Sequence, residues 1–331
     1  MMKIQDKMKL FSIIIPVYYN ELNLNDSIPQ LLNLAEKISG YELELIFVDD
    51  GSGDSSLEIL LENQAKYPHI IKVVKLTRNF GSMAAIQAGF TVAKGDCVGM
   101  ISADLQDPPE LFVDMLAYWE KGSKAIFAVR QEREDSFSKT LFSNSYYMLI
   151  RKFAIKDYPN GGFDFFLADR QVIDQINLIQ EKNTNLMTLI YWLGFKPVMI
   201  PYIRRRRTKG KSRWTLEKKL KLFVDTFVGF SFFPIRFLSI VGFLVAIFSF
   251  LYGCFILFYW FFYGTEVKGW VPSMLIMTFA SGIQMSMLGV LGEYLWRTLD
   301  EVRHRPQFVI DEIYSTGIPA KDDPQHSEER A

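Results

Sequence analysis

Two long apolar runs in the last third of the chain constrain its folding more than any other feature. Residues 237–263 run 27 positions without a charge, and residues 271–295 run 25 with Glu293 alone, near the end. About 20 apolar residues reach across a bilayer core, so each run is long enough to span one. The connecting "GTEVKGW" is too short for a domain. The two runs therefore predict a helical hairpin with both of its ends on one side. The alternative is a hairpin buried in a soluble core, where charge-free runs of this length are rare. Basic residues set the orientation. Residues 204–221, "RRRRTKGKSRWTLEKKLK", carry ten Lys or Arg against one Glu, and Arg236 follows. Arg297, Arg303 and Arg305 lie beyond the second run, while the loop between the runs holds one Lys and one Glu. The positive-inside rule then places the large amino-terminal part and both termini in the cytoplasm.

Charge is balanced over the 331 residues, with 37 basic and 37 acidic. The asymmetry is local, and nucleic acid is not an expected partner. Cys97 and Cys254 are far apart and the three histidines are scattered, so neither a disulfide framework nor a zinc centre is expected. "FSIIIPV", near the amino terminus, is short, contains Pro16, and reads as a strand rather than a signal peptide.

From about residue 10 to 130 the pattern alternates. "FSIIIPV", "LELIFV", "IIKVVKL", "DCVGMI" and "KAIFAV" are apolar runs, as expected of strands buried on both faces. Between them, "NLNDSIPQLLNLAEKI", "DSSLEILLENQAKY", "GSMAAIQAGFTVA" and "PELFVDMLAYWEKG" have helical spacing. The alternation predicts an α/β fold with a mostly parallel sheet and helices on both faces. Residues 131–200 are less regular. They hold a helix over 138–152, a Gly-rich turn "DYPNGGFDFF" and a helix–strand unit ending "GFKPVMIPY". The end, "PAKDDPQHSEERA", is polar and reads as disordered.

Ligands of parallel α/β sheets bind outside the carboxyl ends of the strands. Tyr18, Asn20 and Glu21 follow the first strand, and Asp49, Asp50, Gly51 and Ser52 the second. Thr77, Arg78, Asn79 and Gly81 follow the third, and Ser102, Asp104, Gln106 and Asp107 the fourth. Four polar clusters in succession on one edge predict a site there. Neither a G-x-G-x-x-G nor a G-x-x-x-x-G-K-[ST] loop is present, so dinucleotide oxidoreductase and P-loop readings lose their main support. An acidic edge can still bind a diphosphate if a divalent cation lies between. Asp104 and Gln106, at i and i+2 of an extended segment, would point the same way and share a hard metal through oxygen. The plainer reading is that Asp104 and Asp107 cap the helix starting near Pro109. Asp107 fits that role, and Asp104 is too far upstream.

"FSIIIPVYYNELNL", "LIFVDDGSGDSS", "LTRNFGSMAAIQAGFTVAKGD" and "ISADLQDPPEL" together resemble the family 2 glycosyltransferases with a GT-A (Rossmann-like) fold. With the two apolar runs and the basic segment, the chain is similar to the polyisoprenyl-phosphate glycosyltransferases. The resemblance covers nearly the whole chain, to about residue 310. It implies a GT-A domain over residues 1–203, and a basic loop with an amphipathic juxtamembrane segment over 204–234. Two transmembrane helices over 235–297 and a cytoplasmic tail over 298–331 would follow. It implies that Pro16, Tyr18, Glu21, Asp49, Asp50 and Arg78 hold the nucleotide sugar. Ser102 and Asp104 would face its diphosphate, with Asp104 and Gln106 on the metal, Mg²⁺ or Mn²⁺. The family often has Asp where this chain has Ser102, which leaves Asp104 as the main anionic ligand.

In the family a loop of pattern R-x-x-G-x-S-[KR] closes over the diphosphate. Arg207, Gly210, Ser212 and Arg213 match it, Arg204 also resembles a family arginine, and arginine suits phosphate by bidentate bonding. Lys218, Lys219 and Lys221 read instead as cations that attract anionic lipid, at about 1 kcal/mol each. Arg130, Lys139 and Ser143 match family positions for the acceptor phosphate, with surface charge the rival for Lys139. Asp157 resembles the family aspartate near that phosphate, and Asp164 is a second candidate. Either could orient the nucleophile, take its last proton, or stabilise the turn.

The expected activity is inverting transfer of a hexose, glucose from UDP-glucose, to a polyprenyl phosphate such as undecaprenyl phosphate. The run over 214–233 would lie along the membrane surface, and the family suggests a homo-oligomer. A GDP-mannose:polyprenyl-phosphate mannosyltransferase is the first alternative. A processive polysaccharide synthase is disfavoured, because Gly210 stands where Q-x-x-R-W needs Gln. A catalytically inactive membrane scaffold is the alternative of another class.

Overall fold

The computed structural model describes residues 8–130, 148, 150–152, 163, 165–179, 181, 184–205, 224–226, 228–231, 233–263 and 269–315. The alternating region folds as expected into β1 (Lys9–Val17), α1 (Glu21–Leu32), α2 (Leu34–Lys37), β2 (Tyr41–Asp49) and α3 (Ser56–Lys66). It continues with β3 (Ile71–Leu76), α4 (Ser82–Val92), β4 (Cys97–Met100), α5 (Leu111–Glu120) and β5 (Ala125–Arg130). Then come β6 (Phe165–Asp169), α6 (Arg170–Leu178), α7 (Leu186–Trp192) and β7 (Val198–Tyr202). Two long helices, α8 (Phe233–Tyr263) and α9 (Trp270–Val302), precede a last strand, β8 (Ile310–Tyr314).

The strands form one sheet in the order β7-β5-β6-β4-β1-β2-β3-β8. β1 pairs in parallel with β2 and β4, β2 with β3, and β5 with β7. β6 runs antiparallel to β4 and β5, and β8 antiparallel to β3. Strands β1 to β5 and β7 thus share one direction and end on one edge. The order reverses at β1, which has β2 on one side and β4 on the other. Such a reversal opens a crevice outside the strand ends.

Side chains alternate across the sheet, and each face has its own core. Phe11, Ile13, Ile15 and Val17 pack with Leu24 and Ile28 of α1, Leu60 of α3 and Phe112 of α5. Ile14, Ile46, Val48 and Val74 pack with Ala85, Ile86 and Phe90 of α4 and with Val172 and Ile173 of α6. Gly99 lets the Phe112 ring lie on β4, because a Cβ there would sit 2.4 Å from it.

Two strands depart from expectation. "FDFF" reads as part of a Gly-rich turn, yet Phe165–Asp169 is a fully buried strand inserted between β4 and β5. Residues beyond 298 read as a tail, yet α9 continues to Val302 and β8 returns to the sheet edge. Lys75 and Asp311 pair at 2.6 Å across that edge. Within the helix expected over 138–152, residues 148 and 150–152 are described, and they are helical.

Among the described residues, one stretch has the length and apolarity to cross a membrane, Phe233–Phe255 in α8, and none of it is buried in the protein. A hairpin buried in a soluble core is therefore not what α8 forms. The second apolar run lies in α9. The two helices touch where Gly242 faces Met287; a Cβ on Gly242 would meet the Met287 methyl at 2.3 Å. Arg297 of α9 reaches Asp225 at 2.7 Å and Glu293 at 2.9 Å, and so ties the segment before α8 to the far end of α9. The Ser231 hydroxyl accepts the Phe233 N–H at the start of α8.

The opposite edge of the sheet is held by a buried charge. Glu44 of β2 accepts from Lys72 Nζ at 2.7 Å, from the Lys94 N–H at 3.1 Å, and from the Ser12 hydroxyl. Ser12 in turn accepts the Gly95 N–H at 2.8 Å. Both charged residues are buried. Removing one partner leaves the other as an uncompensated charge. Glu44→Ala is expected to lower the unfolding midpoint by about 10 °C, from a cost of about 3–5 kcal/mol for a broken buried pair. Thermal unfolding followed by circular dichroism checks this, and a shift below about 2 °C would show that the pair is solvated.

Candidate active site

The loops after β1, β2 and β3 interlock on the carboxyl edge. Asp50 follows β2, and its carboxylate accepts the Phe80 N–H at 2.7 Å and the Gly81 N–H at 2.9 Å. This draws the loop after β3 across to β2. Gly51 permits the contact, with φ +70° and a Cβ position that would fall 2.7 Å from the Arg78 carbonyl carbon. Asp49 accepts the Ser52 N–H at 3.3 Å. The Ser52 hydroxyl accepts the Tyr19 N–H at 3.0 Å, and the Ser56 hydroxyl accepts the Asn20 N–H at 2.8 Å. Glu21 opens α1 and accepts the Ser55 N–H at 3.1 Å. Tyr19, at φ +55°, lays its hydroxyl over Gly53, and its ring meets Tyr18 edge-on at 4.8 Å. Pro16 sits in register with Val48 just before these loops.

Asp49 and Asp50 are both buried. Burial pushes both carboxyls above their ordinary range, while the hydrogen bonds from Ser52 to Asp49 and from Phe80 and Gly81 to Asp50 pull them part of the way back. Adjacent carboxylates with spare acceptor lone pairs suit the N–H groups of a base and the hydroxyls of a ribose. Arg78 is exposed beside them, 4.0 Å over the Phe80 ring, with Nη1 donating to the Asn79 carbonyl at 3.1 Å.

The loop after β4 carries Ser102, Asp104, Gln106 and Asp107. It is not extended as expected, since Leu105 has φ +44°. The Ser102 hydroxyl lies 2.8 Å from Asp104 Oδ1 and 3.4 Å from Asp107 Oδ2. The Gln106 N–H approaches Asp104 Oδ1 at 3.4 Å, while its side-chain amide donates to the Arg205 carbonyl at 3.5 Å. Asp104 and Gln106 therefore meet through a turn, not through strand alternation.

Asp107 does not cap α5. That helix starts at Leu111 after Glu110, with no side-chain cap, and backbone carbonyls of Pro108 and Pro109 take the first N–H groups. Asp107 is instead buried at 1% exposure. The Tyr202 hydroxyl donates to it, and Arg204 Nε lies 3.2 Å from the same oxygen. Arg130, which ends β5, stands in register with Tyr202 of β7 and places Nε 3.5 Å from its hydroxyl. The Arg205 N–H donates to the Gln106 carbonyl at 2.9 Å.

The edge therefore gathers Pro16, Tyr18, Glu21, Asp49, Asp50, Arg78, Ser102, Asp104, Gln106 and Arg130. Lys139, Ser143, Asp157, Asp164, Arg207 and Arg213 lie outside the described residues. Sequence reasoning misses Tyr202. The strand-end filter, applied to "GFKPVMIPY" as to the first four strands, would select it. It also misreads Asp107, whose partner Tyr202 is 95 residues away. Among the described residues no three His, Cys, Asp or Glu side chains form a metal cage. A cation here would take one protein carboxylate and complete its shell from phosphate and water, as Mg²⁺ commonly does.

Comparison with known proteins matches the chain to a family. Residues 12–176 fit the model of Glycosyl transferase family 2. An uncharacterized glycosyltransferase of Bacillus subtilis, YkcC, is 36% identical over 92% of this chain and 94% of its own. The bactoprenol glucosyl transferase of Shigella phage SfV is 32% identical over 90% of this chain and 97% of its own. Among solved structures, the mannosyl-3-phosphoglycerate synthase of Rubrobacter xylanophilus aligns at TM-score 0.45 and 17% identity, over 66% of this chain and 71% of that one. The match to near-full-length relatives, on a mostly parallel sheet of the GT-A kind, shows that the chain belongs to glycosyl transferase family 2.

Proposed function

We propose that the protein is an inverting hexosyltransferase that moves glucose from UDP-glucose to undecaprenyl phosphate at the cytoplasmic face of a membrane. The observation that carries this reading is the near-full-length similarity to a relative named for both the sugar and the lipid. The apolar, unburied helix α8 supports a lipid acceptor, because inserted in a membrane it would bring the domain to the surface where that acceptor lies. The pairing of α8 with α9 as two spans, the cytoplasmic termini and a homo-oligomer belong to this proposal, with a catalytic domain that runs from β1 through β7 and takes β8 from beyond the helices.

Asp49 and Asp50 would accept from the base and ribose, with Pro16, Tyr18, Glu21 and Arg78 shaping the pocket around them. Asp104, part-exposed and beside a hydroxyl, is a hard oxygen donor fit for Mg²⁺ or Mn²⁺. Gln106 offers its side-chain oxygen, since its nitrogen already faces Arg205. Bound there, the ion would neutralise charge growing on the leaving diphosphate. Arg207 and Arg213 would close over that diphosphate. Arg130, Lys139 and Ser143 would hold the lipid phosphate in line with the anomeric carbon, so that single displacement inverts it. That phosphate oxygen is already anionic near neutral pH, so Asp157 or Asp164 needs only to orient it or take its last proton.

In a panel of UDP-glucose, UDP-galactose and GDP-mannose, purified protein is expected to move label to polyprenyl phosphate from UDP-glucose alone. GDP-mannose as the preferred donor would overturn the sugar assignment. Release of neither UDP nor GDP would favour a scaffold. Asp104→Ala is expected to cut transfer by about 100-fold or more, the scale of losing one preorganised electrostatic group. Wild-type activity in that variant would sink the metal assignment. Gly51→Ala should weaken Mn²⁺-dependent UDP binding about tenfold, or about 1.4 kcal/mol. Its added methyl would meet the Arg78 and Asn79 backbone. Gly122→Ala is the control, equally left-handed at φ +95° but with open space around its Cβ. Calorimetry that finds equal losses in both would show backbone strain rather than damage to the pocket.

A further inference from the structure

We propose that Asp107 and Tyr202 are positioning residues that join the donor side of the reaction centre to the acceptor side. The inference rests on the transfer reading above and deepens it. Asp107 is too deeply buried to touch a substrate, yet its two carboxylate oxygens face different halves of the site. Oδ2 lies 3.4 Å from the Ser102 hydroxyl, which is itself 2.8 Å from Asp104. Oδ1 takes the Tyr202 hydroxyl and sits 3.2 Å from Arg204 Nε. Tyr202 then reaches Arg130, whose Nε is 3.5 Å from its hydroxyl. One buried carboxylate thereby connects the diphosphate loop after β4 to the arginines that follow β5 and β7.

A carboxylate this buried is tolerable only when hydrogen bonds and positive charge compensate it. That requirement ties the places of Ser102, Tyr202 and Arg204 to one another. Burial, with the Asp107 charge beside it, pushes the Tyr202 phenol well above its ordinary value, so it stays a donor throughout the working pH range. Ser102 has a single proton to give. The nearer oxygen, on Asp104, is its partner here, and Asp107 is the second acceptor within reach when Asp104 turns to other ligands. Tyr202 is held for its part by β-pairing with Arg130 and by the Phe165 ring, edge-on at 6.2 Å.

The test uses full-length protein in detergent with Asp107→Asn and Tyr202→Phe. Three quantities are read: half-saturating Mn²⁺ for UDP binding by calorimetry, the KM for polyprenyl phosphate, and the unfolding midpoint. Each variant is expected to raise both the Mn²⁺ requirement and the KM about tenfold, the scale of a lost charge-assisted hydrogen bond. The double variant should be no worse than the worse single one, as for residues acting as a unit. Activity that falls only with the folded fraction, both constants unchanged, would show a purely structural role. A shift in one constant alone would also overturn the link. Should Asp107→Asn fail to fold, Tyr202→Phe, which removes one oxygen, decides. If wild-type protein shows neither Mn²⁺-dependent UDP binding nor transfer, the transfer reading fails and takes this proposal with it. If wild type does both and the variants match it, the positioning role alone fails.

Discussion

The hydrogen bonds that Asp50 accepts from the Phe80 and Gly81 N–H groups fix the rest of the candidate pocket. A buried carboxylate needs hydrogen-bond donors to offset its lost hydration. Asp50 satisfies that need with backbone from a different strand end, so the loop after β3 must lie across the end of β2. Gly51 is then forced, because any side chain there would strike the Arg78 backbone. The approach of the two loops also places Arg78 on the same edge as the acidic pair. The carboxyl edge is thus assembled by polar satisfaction, and the apolar cores behind it supply rigidity, not shape.

The two ends of the sheet manage buried charge in opposite ways. At the amino end, Glu44 meets the Lys72 cation directly, with the Ser12 hydroxyl and the Lys94 N–H as further donors. At the carboxyl end, Asp49 and Asp50 accept backbone amides, and among the described residues no cation forms an ion pair with either. Their carboxyls are consequently displaced upward. An edge of that kind retains negative potential and acceptor capacity, which suits the hydroxyls and N–H groups of a nucleoside. A phosphate needs the opposite sign. Positive charge enters on the other side of β4, with Arg130 at the end of β5 and Arg204 and Arg205 just after β7.

The parts of the fold legible in the sequence are those in which one strand or loop carries its own signal. "FSIIIPV" and "LELIFV" are continuously apolar because both faces are covered, and the polar residues that follow them mark the edge. β6 and β8 were not legible, because each is a short strand placed by a distant partner. Phe165–Asp169 finds β4 and β5 only after the chain has reversed. Ile310–Tyr314 is mostly exposed and depends on β3 and the Lys75–Asp311 pair. Asp107 shows the same limit within the site. In "LQDPPE" it has the local form of a helix cap, and only a tyrosine 95 residues later converts it into a buried hub.

The long helices are joined to the sheet at more than one point. Before α8, the segment with Asp225 and Ser231 is held to α9 by Arg297 and by the Tyr294 hydroxyl. After α9 the chain runs directly into β8. The Val309 carbonyl there accepts the Thr77 N–H at 3.1 Å, one residue before Arg78. The Gln307 side chain donates to the Glu181 carbonyl at 2.8 Å, which fixes the same connection to the face carrying α6 and α7. The return of β8 to the sheet edge adds a second tether on the side that carries Arg78. Two separated attachments restrict rotation far more than one, because each removes freedom that the other leaves. The strand that closes the sheet thus also fixes the chain leaving α9 against the edge strand that leads to Arg78.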